Sequence, residues 1–189
     1  KTGSGKTAAF GLGLLAHVNP RFFGVQALIL CPTRELADQV GKELRRLARG
    51  VANIKLVSLC GGKPAGPQRA SLAQGAHLVV GTPGRVLDHL QGKTLKLDAL
   101  KTLVLDEADR MLDMGFADAV AEIVAHTPKS RQTLLFSATY PDEIRRMSRS
   151  IQRSPVTVSV ETEHRAGVIE QIFYLAKRLR HFERRIVLH

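Results

Sequence analysis

Five short apolar runs constrain this chain more than any other feature. They are VQALILC (Val25–Cys31), IKLVSLC (Ile54–Cys60), HLVVG (His77–Gly81), TLVLDE (Thr102–Glu107) and QTLLFSA (Gln132–Ala138). Each is too continuous to leave one face in water, as an alternating strand would. Helical patterns separate them. One runs from about Glu35 to Ala48, with Leu36, Val40, Leu44 and Leu47 on one stripe, and a short one lies near Gln68–Gln74. A third starts at Pro83, the first-turn position proline prefers; a fourth reaches about Ala125, and a fifth covers Asp142–Ile151. Continuous strands alternating with helices predict an α/β fold, a parallel sheet with helices on both faces. VTVSV (Val156–Val160) is expected as a later strand.

Such sheets place ligands at the C-terminal ends of their strands. There the chain puts residues that a plain turn does not need. Cys31 is followed by PTRE, Cys60 by GG and Gly81 by TPGR. The fourth run closes in DEAD (Asp106–Asp109) and the fifth in SAT (Ser137–Thr139). A structural role accounts for one or two such turns, but hardly for all five.

The opening KTGSGKT carries the end of the phosphate-loop pattern G-x-x-x-x-G-K-[ST], whose first position would fall one residue before Lys1. Gly3 and Gly5 let backbone N–H groups converge on a phosphate, and a helix beginning near Lys6 adds its dipole. Lys6 is a cation for the β- and γ-phosphates, and Thr7 offers a hydroxyl to Mg²⁺. A Gly/Ser-rich terminus is the chance alternative. The apolar helix behind it (Ala8, Ala9, Phe10, Leu12, Leu14, Leu15) is what a true loop requires. At the fourth strand tip, Asp106 suits a Mg²⁺ shell and Glu107 can orient or deprotonate the attacking water. Helix capping would explain one acid there. It does not explain an Asp-Glu pair downstream of a GKT loop.

Charge points to the partner. The chain carries 28 Lys and Arg against 17 Asp and Glu, a formal net charge of +11. A polyanion is the natural partner, with a solvated basic surface as the plainer alternative. Between Arg34 and Arg69 there are eight Lys/Arg and three Asp/Glu, which favours one basic face. Cys31 and Cys60 sit in apolar runs without metal-ligand spacing and read as reduced thiols of a cytosolic protein. No apolar run approaches the roughly 18 residues that cross a bilayer, and no signal peptide precedes the first element. A cytoplasmic protein with no membrane partner is expected. The histidines form no metal or triad cluster.

DEAD, with PTREL, GG, TPGR and SAT in this order, resembles the first RecA-like domain of the DEAD-box ATP-dependent RNA helicases, from Lys1 to about Val160. The resemblance implies a RecA-like P-loop NTPase domain over residues 1–160 that lacks its first strand. Residues 161–189 would lead towards a second RecA-like domain. It implies ATP and Mg²⁺ as cofactors, with Thr2, Gly3, Ser4, Gly5, Lys6 and Thr7 as the remnant of the phosphate loop. Thr7 and Asp106 would meet the metal, and Glu107 and Lys6 would serve catalysis.

Thr33, Arg34, Gly61, Gly62, Thr82, Gly84 and Arg85 would line the path of one RNA strand. Their types suit it: glycine N–H groups approach phosphates closely, and guanidinium groups bind them bidentately. The plainer alternatives are an Arg34 salt bridge to Glu35 or Asp38 and a simple turn at Gly84. Asp109 would join Ser137 and Thr139 in a network coupling hydrolysis to strand separation, rather than a mere strand-end turn.

GKTAAFGLGLL, LCPTRELADQV and VLDEADRMLDMGF look most like the bacterial DEAD-box protein A group, linked to large-ribosomal-subunit assembly. That adds ribosomal RNA to the expected partners of a monomeric helicase. The adenine-reading glutamine motif and the strand leading into the loop are missing here, so this chain should bind nucleotide weakly; the second domain's arginine fingers are missing too. Two other readings stand beside the helicase. One is an RNA-binding clamp without turnover. The other is a P-loop kinase or unrelated NTPase, which leaves the motifs after the second, third and fourth runs without a task.

Overall fold

A computed structural model describes residues 5–159. The first element is helix α1 (Lys6–His17), followed by strand β1 (Ala27–Leu30), α2 (Arg34–Leu47) and β2 (Leu56–Leu59). Then come α3 (Ala65–Ala73), β3 (Leu78–Gly81), α4 (Pro83–Gln91) and β4 (Thr102–Leu105). The series ends with α5 (Ala108–Asp113), α6 (Ala117–Ala125), β5 (Gln132–Leu135) and α7 (Asp142–Ile151). The described residues up to Pro155 form one compact unit.

The five strands make one parallel sheet in the order β2-β3-β1-β4-β5. Every residue of β1 and β3 is buried, which is why neither strand alternates polar with apolar. Leu28 and Leu30 face a core closed by α4 to α7 through residues such as Val86, Met111, Ile123 and Ile144. Ala27, Ile29 and Cys31 face the opposite core, closed by Phe10 and Leu14 of α1 and Val40 and Leu44 of α2. Both faces are covered, as the continuous runs require. Leu28 and Ile29 are fully buried on opposite faces. Truncating either to alanine should cost about 2–5 kcal/mol.

The register sets the position of the site. Leu30 pairs with Gly81 on one side and Leu105 on the other; Leu59 pairs with Gly81, and Leu105 with Leu135. All five strands therefore end in one row, and their unusual residues leave from one edge.

One expectation is sharpened and one corrected. The helical region after Glu107 is two helices, because Gly115 takes a left-handed φ of 76° between α5 and α6, and a right-handed helix cannot run through it. The run from Val156 forms no strand over its described residues 156–159, and Val156 is 89% exposed. Alternating β-branched residues make a strand only against a partner, and none among the described residues pairs with them. Val160 and residues 161–189 lie outside the described residues. No described helix is long and apolar enough to cross a membrane.

Candidate nucleotide and nucleic-acid site

A cleft of about 790 Å³ opens between the start of α1, the exposed side of α2 and the tip of β4. Gly5, Lys6, Thr7, Asp106 and Glu107 line it together. Gly5 caps α1 with a left-handed backbone (φ 71°), leaving the free N–H groups of the first turn at the cleft. Phe10 anchors the helix from below: it is buried, with its ring centroid 5.5 Å from that of Phe136, the residue after β5. Thr2, Gly3 and Ser4 lie outside the described residues.

Asp106 is the unusual group. It is 3% exposed, and its Oδ1 has no hydrogen-bond partner among the described residues. Lys6 Nζ stands 3.8 Å away, an ion pair too long for a hydrogen bond. Burial lifts the Asp106 carboxyl above its ordinary value; Lys6 pulls it down in part and Glu107 pushes it up. A buried anionic oxygen without a donor is the donor set a hard cation takes, so these residues fit Mg²⁺. Cys31 lies buried behind it, its thiol pushed well up by burial and by Asp106.

Glu107 sits in the left-handed region (φ 53°, ψ 56°) at the N-cap of α5, without a side-chain capping bond. A non-glycine residue held there costs about 1–3 kcal/mol. Its side chain lines the cleft, and Arg110 Nη1 approaches Oε2 at 3.4 Å. Neither acid caps the helix, so capping does not account for the pair.

Asp109, Ser137 and Thr139 meet, although 28 and 30 residues separate them in sequence. Asp109 Oδ2 accepts from the Thr139 N–H at 3.0 Å and from its hydroxyl at 2.9 Å. The Asp109 N–H donates to Ser137 Oγ at 3.3 Å. Burial pushes the Asp109 carboxyl up, but these bonds and the Arg110 N–H outweigh it and hold it below its ordinary value.

The remaining motifs gather on the other side of β1. Thr33 caps α2, its Oγ1 accepting from the Leu36 N–H at 3.2 Å. Arg34 makes no salt bridge with Glu35 or Asp38. Its guanidinium instead covers Gly62, where an added Cβ would collide with Nη1, on a backbone of φ 72°. Asp38 pairs with Lys63 Nζ at 3.3 Å. Arg85 donates to the Lys63 carbonyl at 3.0 Å and pairs with Asp88 at 3.4 Å. Thr82 precedes α4 without capping it, Gly84 lies in its first turn, and Gly61 and Gly84 each face open space.

Sequence reasoning missed the buried partners beneath these loops. His89 and Gln68 are inside the protein and bonded to each other at 3.1 Å. A histidine amid apolar residues on one face of α4 was the available signal. His77 is likewise a satisfied core residue: it accepts from the Lys55 N–H and bonds the Pro20 carbonyl.

A parallel sheet with a helix-capping GKT turn and a buried aspartate at an adjacent strand tip defines a RecA-like α/β nucleotide-binding domain. A family model for DEAD/DEAH box helicases matches residues 1–147, and the chain belongs to that family. It is 59% identical over 174 residues to the ATP-dependent RNA helicase DbpA of Escherichia coli, covering 92% of this chain and 38% of that protein. To the ATP-dependent RNA helicase CshA of Listeria monocytogenes it is 48% identical, over 92% of this chain and 33% of the relative. The crystal structure of a DEAD box protein from the hyperthermophile Methanococcus jannaschii superposes with a TM-score of 0.77 at 46% identity. That match covers 82% of this chain and 42% of the other. The chain thus spans about a third to two fifths of these curated relatives' length.

Proposed function

We propose that this chain is the nucleotide-binding half of an ATP-dependent RNA helicase core, coupling ATP hydrolysis to binding of one RNA strand and local duplex unwinding. The observation that carries this reading is Asp106, buried beside Lys6 and Glu107 with an Oδ1 that has no hydrogen-bond partner among the described residues. In this reading Thr2 to Thr7 hold the phosphates. Lys6 exchanges its long pairing with Asp106 for phosphate oxygens, a better partner for an ammonium group. Mg²⁺ held by Asp106 and Thr7 would neutralise charge on the β- and γ-phosphates. Glu107 orients the attacking water and takes its proton, from a side chain already aimed at the cleft.

Arg34, Arg85 and the N–H groups of Gly61, Gly62 and Gly84 contact the RNA backbone, with Thr33 and Thr82 shaping the path. Asp109, Ser137 and Thr139 tie the tips of β4 and β5 so that the hydrolysis site and the RNA path move together. Ribosomal RNA, and a role in large-subunit assembly, rest on the resemblance of the GKTAAFGLGLL and VLDEADRMLDMGF stretches. The second RecA-like domain is the partner that completes the ATP site in a monomeric, cytoplasmic enzyme. The buried free thiols of Cys31 and Cys60 suit that compartment.

The test is the ATPase rate of the full-length protein with RNA, with duplex DNA and with neither. RNA should stimulate hydrolysis and DNA should not. Equal stimulation by DNA, or none by RNA, overturns the helicase reading; RNA binding with no hydrolysis at all would favour the clamp.

A further inference from the structure

The GG turn after β2 is held by its carbonyls. Gln68 Nε2, from α3, donates to the Cys60 carbonyl at 3.0 Å. Arg85 Nη1, from α4, donates to the Lys63 carbonyl at 3.0 Å. The two glycines lie between these anchors, and their N–H groups have no hydrogen-bond acceptor among the described residues. A turn with its carbonyls bound from below and a left-handed Gly62 offers its N–H groups to an anion.

The Gln68 anchor is itself supported. Its amide nitrogen is committed to Cys60, so its oxygen must accept, and the donor is His89 Nε2 at 3.1 Å. Nδ1 of the same ring meets Thr94 Oγ1 at 2.8 Å. Burial, with Arg85 next, holds the imidazole below its ordinary value. Nε2 carries the proton that Gln68 Oε1 accepts, and the Thr94 hydroxyl beside Nδ1 donates to the His89 carbonyl at 3.1 Å. Gln68 is 7% exposed and His89 3% exposed, so water cannot replace either partner. The chain Thr94–His89–Gln68–Cys60 links the far end of α4 to the GG turn, while Arg85 links the near end.

We propose that Gln68 and His89 are positioning residues for RNA. As a buried strut they hold the GG turn with its N–H groups presented to the strand's phosphates, and touch neither RNA nor nucleotide themselves. The inference rests on the RNA-helicase reading, and it adds to that reading two residues that lie outside the strand-end motifs.

The experiment uses the full-length protein and its Gln68→Ala, His89→Ala and His89→Gln variants. Hydrogen exchange of the segment spanning residues 56–69, measured without RNA, reports on the turn directly. The RNA concentration giving half-maximal ATPase stimulation reports on its use. Both alanine variants should speed exchange and raise that concentration about tenfold. kcat at saturating RNA and KM for ATP should stay within about twofold, and His89→Gln, whose amide can still donate to Gln68, should recover most of the loss. Faster exchange with unchanged RNA dependence overturns the proposal, as does an equal fall in kcat. Wild-type protein without RNA stimulation would instead overturn the helicase reading, and the strut's role with it.

Discussion

The sheet divides at β1 and β4 into two chemically opposite halves. On β2, β3 and β1 the strand tips carry glycines, threonines and arginines; Arg85 ties the Lys63 carbonyl, while the Gly61 and Gly62 N–H groups have no acceptor among the described residues. On β4 and β5 they carry carboxylates and hydroxyls, with a strained Glu107 and an Asp106 Oδ1 that has no hydrogen-bond partner among the described residues. Under the proposed function the first half is the surface that a polyanion arriving from outside would meet. In the second, a buried carboxylate oxygen has only the long Lys6 ion pair and no hydrogen bond among the described residues, an arrangement that costs free energy. In the proposed function the first half takes backbone phosphates and the second carries the nucleotide chemistry. The dividing line falls where the strand order switches, the place where open α/β sheets bind their ligands.

The hardest test of that division is Glu107→Gln. It should lower RNA-stimulated ATP turnover by about 10²–10⁴-fold while RNA affinity stays unchanged, measured by steady-state kinetics and RNA titration. A parallel loss of RNA binding would erase the boundary between the halves. On the basic side, Arg34→Ala should weaken RNA binding about tenfold uniformly across sequences and lower the salt slope by about 1, read from titrations at several salt concentrations. Unchanged ATPase at saturating RNA belongs to the same expectation.

Smaller effects come from two acids of one motif whose carboxyls shift in opposite directions. Asp106 is raised, so the ion-free wild type loses stability as pH rises from the ordinary carboxylate value through the native one. Asp106→Asn should remove that loss and stabilise the ion-free protein at neutral pH by about 1 kcal/mol in urea denaturation, while abolishing Mg²⁺-dependent turnover. Asp109 is lowered, so its contribution is present above the ordinary value and lost as pH falls through the native one. Comparing wild type with Asp109→Asn from pH 6 down to about pH 3 should show their difference shrinking. Two carboxylates responding with the same sign would mean that burial, rather than partners, governs both.

Much of this architecture is legible in one dimension. A run such as TLVLDE states its strand, its two buried faces and the acids at its tip, because burial on both sides requires continuous apolar residues and a ligand site requires polar ones after them. GKT and DEAD are legible for the same reason: phosphate and metal chemistry tolerate few residue types. Local pattern misleads where the outcome depends on a partner, as in the Val156 run that finds no strand to pair with among the described residues, or on one dihedral angle, as at Gly115.

What only the tertiary structure decided is which groups are alone and which are satisfied. Sequence determines that Asp106 is acidic and Arg34 basic. It does not say that Asp106 Oδ1 has no hydrogen-bond donor among the described residues, that Arg34 turns from its neighbouring acids to cover Gly62, or that Gln68 reaches His89. Those outcomes depend on distances between residues far apart in the chain and on burial, which removes water as the alternative partner.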